Sequence, residues 1–425
     1  MLAHADDDVR QLALHPSNDD DVDMRMALQQ IQGRQMARRK LPSWAAIDGI
    51  VYPPHLSMEQ CSSEATARYK ATMMHQLTMC NAPFHPAVNS SSSNSTFLDL
   101  TGGFGVDTAF LSDLFGTTVY VERQPELCAI AQSNFATLGK AITTVCGDAT
   151  DCLHQLQQHV ALIFLDPARR DDHGDRTYGI ADCTPNVLPL LPELLQKADR
   201  LLLKLSPMLD WRKAVADVGL QHVEQVHIVA VHGECKELLL LLSAQGSQAP
   251  SIICANDDSR EEFALTADDC PTNLINPITP ISQINPISQI TPITPTNLIN
   301  PNGHAPLFLY EPNAALMKAG LFAQLALRYG IEALSPNSHL FASSHRVDDF
   351  PGRSFLLTDV STMNKQELRS KVLPLKQANI TVRNFPLSVA ELRKRLKLRE
   401  GGSNYVFATT LATGDKVLLV CQRLL

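Results

Sequence analysis

Between Thr96 and Ser243, short apolar runs alternate with stretches that are typical of helices. The runs read TFLDL, TTVYVE, ALIFLD and RLLLKL, and helical stretches such as PELCAIAQSNFATLG separate them. Apolar runs joined by helical crossovers are typical of a parallel sheet that is buried on both faces. The sequence therefore predicts an α/β fold here. The last two runs, VEQVHIVAVHG and CKELLLLLSA, predict an antiparallel hairpin at one edge of that sheet.

Other patterns lie on either side of this region. Residues 23–74 carry helix formers at most positions, which predicts a small helical layer ahead of the sheet. Residues 272–303 carry a proline every few residues and no charge, which predicts a disordered or extended insertion. The stretch EPNAALMKAGLFAQLALRYG predicts an amphipathic helix capped by Asn313. From Gly352 onward, strand, strand, helix, strand and strand patterns predict a compact α+β module.

Composition narrows the class of protein and its partners. The first residues are acidic where a secretory signal would be basic, and no apolar run approaches the length of a membrane span, so we expect a cytoplasmic protein with no membrane partner. The ten cysteines form no CxxC pair, so we expect no metal site. The net charge is −8, but residues 351–425 carry 13 Lys and Arg against 5 Asp and Glu, which indicates a local basic surface.

The stretch FLDLTGGFGVDTAFL reads as a strand, a glycine-rich turn and the start of a helix. A P-loop would need Gly-Lys-Ser/Thr where this chain has Gly105, Val106 and Asp107. A dinucleotide fingerprint needs a third glycine where this chain has Thr108. S-adenosylmethionine has an ammonium and a sulfonium in place of phosphates, so an acid before the turn would serve it. The turn therefore favours S-adenosylmethionine as the ligand.

Four acids follow four successive predicted strands. Asp99 would accept from the amino group of the ligand, Glu122 from the ribose hydroxyls and Asp148 from the adenine amino group, and Asp166 ends the next strand in FLDPARR. Ligands of open α/β sheets bind at the carboxyl ends of the strands. The four acids together therefore predict one ligand site along this edge.

These motifs carry a resemblance to a known family. With DLTGGFGVD, VE, GDA and DPARR in order, residues 97–243 resemble class I S-adenosylmethionine-dependent methyltransferases, whose sheet is Rossmann-like. The whole chain, with YEPNAALMKAG and VRNFPLSVAELRKRLKLREGG, looks like a bacterial group in which ferredoxin-like and THUMP-like domains follow the methyltransferase domain. THUMP domains belong to RNA-modifying enzymes, so the resemblance implies RNA as the partner.

The resemblance implies domain limits, and the motifs, the sheet edge and the basic C-terminal stretch supply the candidate site residues. The domains would be a helical region (1–90), the methyltransferase domain (91–246), a ferredoxin-like domain containing the insertion (247–350) and a THUMP-like domain (351–425). The residues expected to bind S-adenosylmethionine are Asp99, Thr101, Gly103, Phe104, Gly105, Glu122, Arg123, Asp148 and Ala149. The expected catalytic residues are Asp166, Pro167 and Arg169. The expected substrate-binding residues are Arg170, Lys204, Ser206, Arg393, Lys394 and Lys397.

The acceptor of the methyl group stays open at this level. In methyltransferases that act on exocyclic amines, the motif is Asp/Asn-Pro-Pro-aromatic, whereas here Ala168 and Arg169 replace the second proline and the ring. The motif is nearer to the Asp-Pro-Pro-Arg of several RNA base methyltransferases. We expect a methyltransferase that acts on a base of structured RNA, either tRNA or rRNA. The alternatives are DNA, protein or a small molecule as acceptor, or a cofactor-binding protein without turnover.

Overall fold

The structure is a computed structural model that describes residues 6–14, 23–79, 95–168, 179–266, 269 and 307–424. The chain forms two compact units. The first comprises Met1–Val231, Lys236–Ile253 and Ala264–Thr272. The second comprises His232–Cys235, Cys254–Phe263 and Asn273–Leu425. The proline-rich insertion lies outside the described residues, and the expected domain limits at residues 90, 246 and 350 stay predictions.

A helical layer precedes the sheet of the first unit, as the sequence predicts. Its helices are α1 (Val9–Leu14), α2 (Met24–Lys40), α3 (Pro42–Ala45), α4 (His55–Gln60) and α5 (Glu64–Met79). The Asp23 carboxylate caps α2 by accepting from the Met26 N–H at 3.0 Å, and Pro42 opens α3. Trp44 and Tyr52 are buried with residues of the sheet's own helices, so this layer shares one core with the sheet.

Nine strands form the larger sheet, most of which belongs to the first unit. They are β1 (Thr96–Asp99), β2 (Thr117–Glu122), β3 (Ile142–Cys146), β4 (Val160–Leu165), β5 (Ala198–Leu205), β6 (Val223–Val231), β7 (Glu234–Leu242), β8 (Ser251–Asn256) and β9 (Ser259–Ala264). The connecting helices are α6 (Val106–Leu111), α7 (Pro125–Thr137), α8 (Ala149–Gln155), α9 (Val187–Lys197) and α10 (Trp211–Val218). The strand order is β3-β2-β1-β4-β5-β7-β6-β8-β9, and β1 to β5 are parallel. This confirms the predicted parallel α/β sheet.

The predicted hairpin of β6 and β7 does not lie at an edge of the sheet. Strand β7 inserts between β5 and β6 and runs antiparallel to β5, and β8 and β9 extend the sheet beyond β6. In each strand of this hairpin, five or more consecutive residues are buried, which explains its position inside the sheet. Strands of that kind fit the interior of a sheet better than a solvated edge.

The second unit contains a seven-stranded sheet. Its elements are β10 (Leu307–Pro312), α11 (Ala314–Ala319), α12 (Phe322–Tyr329), β11 (Glu332–Ala333), β12 (Phe341–Ser343), β13 (Gly352–Ser361), α13 (Lys365–Glu367), β14 (Asn379–Arg383), α14 (Val389–Leu396), β15 (Asn404–Thr410) and β16 (Lys416–Arg423). The order is β11-β12-β10-β13-β16-β15-β14. The predicted C-terminal α+β module is confirmed, with an additional helical segment between β13 and β14.

The helix predicted after residue 310 is two helices. Asn313 caps α11 as expected, because its Oδ1 accepts from the Leu316 N–H at 3.1 Å. Gly320 then adopts a left-handed conformation with φ of 65°, which ends α11 before α12 begins. The apolar periodicity continues across this break, so periodicity alone predicted a single helix.

Candidate functional site

The glycine turn joins β1 to α6 at the carboxyl edge of the sheet. Gly103 and Gly105 both have positive φ, at 54° and 82°, which side-chain-bearing residues rarely adopt. A Cβ at Gly105 would lie 2.6 Å from the Phe135 ring, so this glycine is required for packing against α7. At Gly103 the nearest atom to a Cβ would be 4.0 Å away. Gly103 is therefore the position where the backbone leaves open space for a ligand.

Asp99 is buried at the end of β1, with 1% of its surface exposed. Its Oδ1 accepts from the Thr101 N–H at 3.0 Å, and its Oδ2 accepts from the Thr108 hydroxyl at 2.5 Å. Burial raises the pKa of Asp99 to about 7, although these two hydrogen bonds oppose the rise. Asp99 therefore holds both ends of the glycine turn. Because its pKa is about 7, a cation bound beside it would favour its ionised form.

Glu122 connects the end of β2 to the same turn. Its Oε2 accepts from the Gly103 N–H at 3.0 Å, and its Oε1 accepts from the Gln124 N–H at 2.8 Å. The neighbouring Arg123 is exposed. Tyr120, on the same strand, donates its hydroxyl to the Gly103 carbonyl at 2.5 Å. The carboxylate of Glu122 is thus held directly against the open position of the turn.

Three other expected cofactor residues have local structural roles. Asp148 is exposed and caps α8, because its Oδ1 accepts from the Thr150 N–H at 2.7 Å, and Ala149 is the first residue of that helix. The ring of Phe104 is buried and packs edge-on against Trp44 with centroids 5.2 Å apart. Only the backbone of Phe104 is therefore available to a ligand.

Asp166 follows β4 and lies beside the glycine turn. Its N–H donates to the Thr101 hydroxyl at 2.6 Å, and its Oδ2 accepts from Lys204 Nζ at 2.5 Å. The side chain is 36% exposed, which makes it the most open of the acids that are hydrogen-bonded to the glycine turn. Burial raises the pKa of Asp166, and the ammonium of Lys204 opposes that rise. Asp99, Thr101 and Asp166 are thus brought together as the sequence predicts.

The rest of the DPARR motif is only partly described. Pro167 is buried, and Ala168 exchanges two backbone hydrogen bonds with Thr184, at 2.8 and 3.0 Å. Arg169 and Arg170 lie outside the described residues, so their expected roles stay predictions.

Lys204 connects Asp166 to a buried group of charged residues that the sequence did not predict. Lys70 of α5 is fully buried, and its Nζ lies 2.5 Å from Glu237 Oε2 and 3.1 Å from Asp107 Oδ1. Ser62 donates its hydroxyl to Asp107 Oδ2 at 2.6 Å. Lys204 Nζ lies 3.7 Å from the same Asp107 Oδ2. We call these five residues, together with Asp166, the buried charge network.

The network combines two ammonium groups with three carboxylates. Burial alone would lower the pKa of Lys204, but the carboxylates of Asp166, Asp107 and Glu237 outweigh it and raise that pKa. Burial alone would raise the pKa of Asp107, but Lys70 and Lys204 outweigh it and lower that pKa. Lys204 and Asp107 are therefore both charged at neutral pH. The carboxylate of Asp99 lies close enough to Asp107 and Asp166 for their charges to raise its own pKa.

Sequence reasoning found the acids at strand ends but missed most of this network. In the sequence, Asp107 looks like an ordinary acid in the first turn of a helix. Glu237 looks like an ordinary acid at the start of a strand. The available signal was Lys70, a lysine on a face of α5 that also carries Ala67, Met73 and Met74, all of them buried. A lysine on an apolar helix face usually has a partner carboxylate nearby.

The expected substrate-binding residues differ in their environments. Ser206 is 9% exposed and accepts from the Met208 N–H at 3.2 Å, in the turn after β5. On α14, Lys394 is exposed, Arg393 is half-buried, and Lys397 is exposed just after the helix with φ of 52°. Arg393 Nη2 lies 3.7 Å from Glu400, whereas Glu391 is used to cap α14. Most of the positive charge of this segment therefore faces solvent.

Comparisons with known proteins place these observations in a family. Residues 352–423 match the model of a THUMP-like domain, and residues 308–351 match that of a ferredoxin-like domain. A solved structure from Porphyromonas gingivalis W83, named as a methyltransferase, is 32% identical with a TM-score of 0.78, over 99% of this chain and 96% of that chain. The chain belongs to the same methyltransferase family. This methyltransferase thus combines a class I α/β sheet with ferredoxin-like and THUMP-like domains.

Other matches to this methyltransferase are partial. A structure named as an RNA methyltransferase from Pyrococcus horikoshii is 14% identical, with a TM-score of 0.27, over 39% of this chain and 72% of that chain. A Streptococcus mutans methyltransferase structure in complex with SAH is 15% identical, with a TM-score of 0.28, over 35% of this chain and 88% of that chain. Both likenesses are too distant to bear on function. No curated protein matches the chain.

Among the described residues, no helix is both long and apolar enough to cross a membrane. In the same part of the chain, no group of three or more His, Cys, Asp and Glu side chains has an arrangement that could hold a metal ion.

Proposed function

We propose that this methyltransferase uses S-adenosylmethionine and methylates a base of structured RNA. The observation that carries the cofactor assignment is the set of acids at the carboxyl ends of β1 to β4, around a glycine turn that is open at Gly103. Asp99, Glu122 and Asp166 are linked to one another through the turn by the hydrogen bonds of Thr101 and Gly103. Open α/β sheets bind their ligands at this edge.

The charges of the site support a cationic ligand. Asp99, Asp107, Asp166 and Glu237 supply four carboxylates, and Lys70 and Lys204 supply two ammonium groups. With Asp99 ionised, as a bound cation would favour, these six groups carry two more negative than positive charges in a mostly buried setting. Such a setting favours a ligand with ammonium and sulfonium groups and disfavours phosphates.

The chain's own residues then have defined roles. Asp99 would orient the ligand's amino group, Glu122 its ribose hydroxyls and Asp148 its adenine, while Gly103 admits it to the turn. Bound S-adenosylmethionine would supply an electrophilic methyl group. Asp166 is the most exposed acid linked to the turn, so it would face the acceptor and either orient it or receive its proton.

RNA is proposed as the acceptor because of the basic segment of the THUMP-like domain. Residues 365–399 carry ten Lys and Arg and two Asp and Glu, and Lys394 and Lys397 are exposed. Exposed cations of this density attract the phosphate backbone, and binding of this kind weakens as salt increases. The segment would therefore hold RNA through its backbone, while the site at the glycine turn selects the base.

Transfer of label tests the acceptor class. Methyl-labelled S-adenosylmethionine is incubated with the enzyme and separately with total RNA, DNA, protein and small-molecule fractions of cells that lack this gene. We expect the label in RNA, and we expect the Asp166→Asn variant to leave RNA unlabelled. Label that appears only in another fraction would refute RNA as the acceptor.

Charge reversal tests the docking role of the basic segment. We expect the combined change of Arg393, Lys394 and Lys397 to Glu to weaken RNA binding and to lower its dependence on salt, since fewer counterions are released. S-adenosylmethionine affinity should not change. The matched control reverses Arg10, Arg25 and Arg39, three exposed cations of α1 and α2. Equal RNA affinity for the two reversed variants would contradict docking at this segment.

A further inference from the structure

Lys204 has hydrogen-bonding capacity that the described residues do not use. Its Nζ donates one hydrogen bond, to Asp166 Oδ2 at 2.5 Å, and its 3.7 Å distance to Asp107 Oδ2 is too long for a second. An ammonium carries three donors. Within the described part of the chain, two donors of this nearly buried ammonium therefore remain for another acceptor.

Lys70 shows what a purely structural lysine looks like in the same network. Its Nζ lies 2.5 Å from Glu237 Oε2, 3.1 Å from Asp107 Oδ1 and 3.4 Å from the Ser62 hydroxyl, and its side chain is fully buried. All three of its donors have an oxygen within reach. Lys204 differs in that it is 10% exposed and is bound to Asp166, the acid that we place at the acceptor. The two lysines of one network therefore have different roles.

A fixed positive charge beside Asp166 discriminates between acceptor chemistries. When an exocyclic amine attacks a methyl group, its nitrogen becomes positive until it loses a proton, and an adjacent ammonium opposes that change. When a ring nitrogen beside a carbonyl attacks, it gives up its N–H proton and negative charge develops on the carbonyl oxygen. An ammonium donor at that oxygen stabilises the developing charge.

We propose that the acceptor is a ring N–H next to a carbonyl, such as N1 of guanine or N3 of uracil, and that Lys204 donates to that carbonyl while Asp166 takes the proton. This inference rests on the proposed function and names its acceptor class. The proposal is based on the position of Lys204 Nζ, 2.5 Å from Asp166 Oδ2 at the carboxyl edge of the sheet. The Asp166 side chain is 36% exposed, and the Lys204 ammonium has two donors that the described residues do not use.

The bonds of this step balance without a further reactant. The ring nitrogen forms its bond to the methyl carbon with its own electron pair, the sulfonium carbon–sulfur bond breaks, and the sulfur keeps the electrons of that bond. The N–H proton passes to the Asp166 carboxylate, and Lys204 stays protonated throughout. Asp166 then releases the proton to water through its exposed side.

Product analysis tests the acceptor atom separately from the proposed function. RNA labelled as above is digested to nucleosides, and the labelled nucleoside is identified by chromatography and mass spectrometry against methylated standards. We expect 1-methylguanosine, 3-methyluridine or another nucleoside methylated on such a ring nitrogen. Label on an exocyclic amine, a carbon or a ribose hydroxyl would overturn this inference and leave the proposed function intact. Absence of label from RNA would refute both.

Variants of Lys204 test its role by readouts other than total activity. We expect Lys204→Gln to lower kcat by about 100-fold or more, the effect of removing a donor to a developing oxyanion, with a smaller change in KM. Loss of the ammonium should also raise the pKa of Asp166, measured by carboxyl ¹³C NMR, and shift the acid limb of the pH–rate profile upward. Lys204→Arg keeps charge and donors and should retain part of the activity.

Two controls keep this test decisive. Lys213 Nζ forms a surface ion pair with Asp217 at 2.8 Å. Lys213→Gln should therefore leave both the Asp166 titration and the pH–rate profile unchanged. Tryptophan fluorescence and S-adenosylmethionine affinity show whether Lys204→Gln is folded, and if it is not, Lys204→Arg supplies kcat and the methylated product. A folded Lys204→Gln with kcat within threefold of wild type, or a Lys204→Arg product methylated elsewhere than on such a ring nitrogen, would overturn the role of Lys204.

Discussion

Replacement of Lys70 by Met is the perturbation whose cost follows most directly from the structure. Methionine has nearly the length and volume of lysine, so it fills the same space in α5 without its charge. The change leaves Asp107 and Glu237, whose side chains are 9% and 4% exposed, without their shared cation. Removing one partner of a buried ion pair costs about 3–5 kcal/mol, because the remaining charge stays buried and unpaired.

We expect Lys70→Met to lower the free energy of unfolding of the first unit by about 3–5 kcal/mol. Both tryptophans of the chain, Trp44 and Trp211, belong to that unit. Urea denaturation followed by tryptophan fluorescence therefore reports on the first unit alone. The double variant Lys70→Met/Glu237→Gln also removes one of the two stranded charges, so it should be more stable than the single variant.

A surface pair of the same unit provides the matched control. Lys140 Nζ lies 2.5 Å from Asp113, but the two side chains are 23% and 69% exposed. Exposed pairs contribute about 0.2–1 kcal/mol, so Lys140→Met should cost no more than that. If Lys70→Met costs no more than Lys140→Met, or if the effects of Lys70→Met and Glu237→Gln simply add, Lys70 does not stabilise the buried charges of Asp107 and Glu237.

Further predictions concern two acids of the site. Asp166→Asn should keep S-adenosylmethionine affinity within a few fold of wild type and lose turnover on RNA, measured by calorimetry and label transfer; equal turnover would remove Asp166 from the mechanism. Because burial raises the folded-state pKa of Asp99 to about 7, its neutral form favours folding, and stability from this group falls as pH rises from about 4 to about 7. A cationic ligand favours the ionised form, so S-adenosylmethionine affinity should rise with pH up to about 7; a flat pH dependence would contradict a direct interaction with Asp99.

The features that could be predicted from the sequence are those set by residues close together in the chain. Asp99, Glu122 and Asp166 each end an apolar run, and the edge at which parallel strands end is set by the topology. The two positive φ values of the turn occur at Gly103 and Gly105, as glycine permits. The C-terminal module was also predictable, since its strands and its helix have clear periodicities and turn residues.

The parts that could not be predicted depend on contacts between distant residues. Lys70 and Glu237 are 167 residues apart, and no local pattern states that they share a hydrogen bond. The insertion of β7 between β5 and β6 depends on burial of both strands in the folded sheet, not on the hairpin itself. Gly320 interrupts an apolar periodicity that continues on both sides, so the break depends on its left-handed backbone.

Binding of S-adenosylmethionine to the wild-type enzyme and to Glu122→Gln, measured by calorimetry, tests the central claim most directly. We expect the wild type to bind and the variant to bind about 10- to 150-fold more weakly, corresponding to about 1.5–3 kcal/mol for hydrogen bonds to a charged group. Glu126→Gln, an exposed acid in the first turn of α7, is the matched control and should bind as the wild type does. No binding by the wild type, or equal affinity in all three proteins, would contradict the placement of the cofactor at the glycine turn.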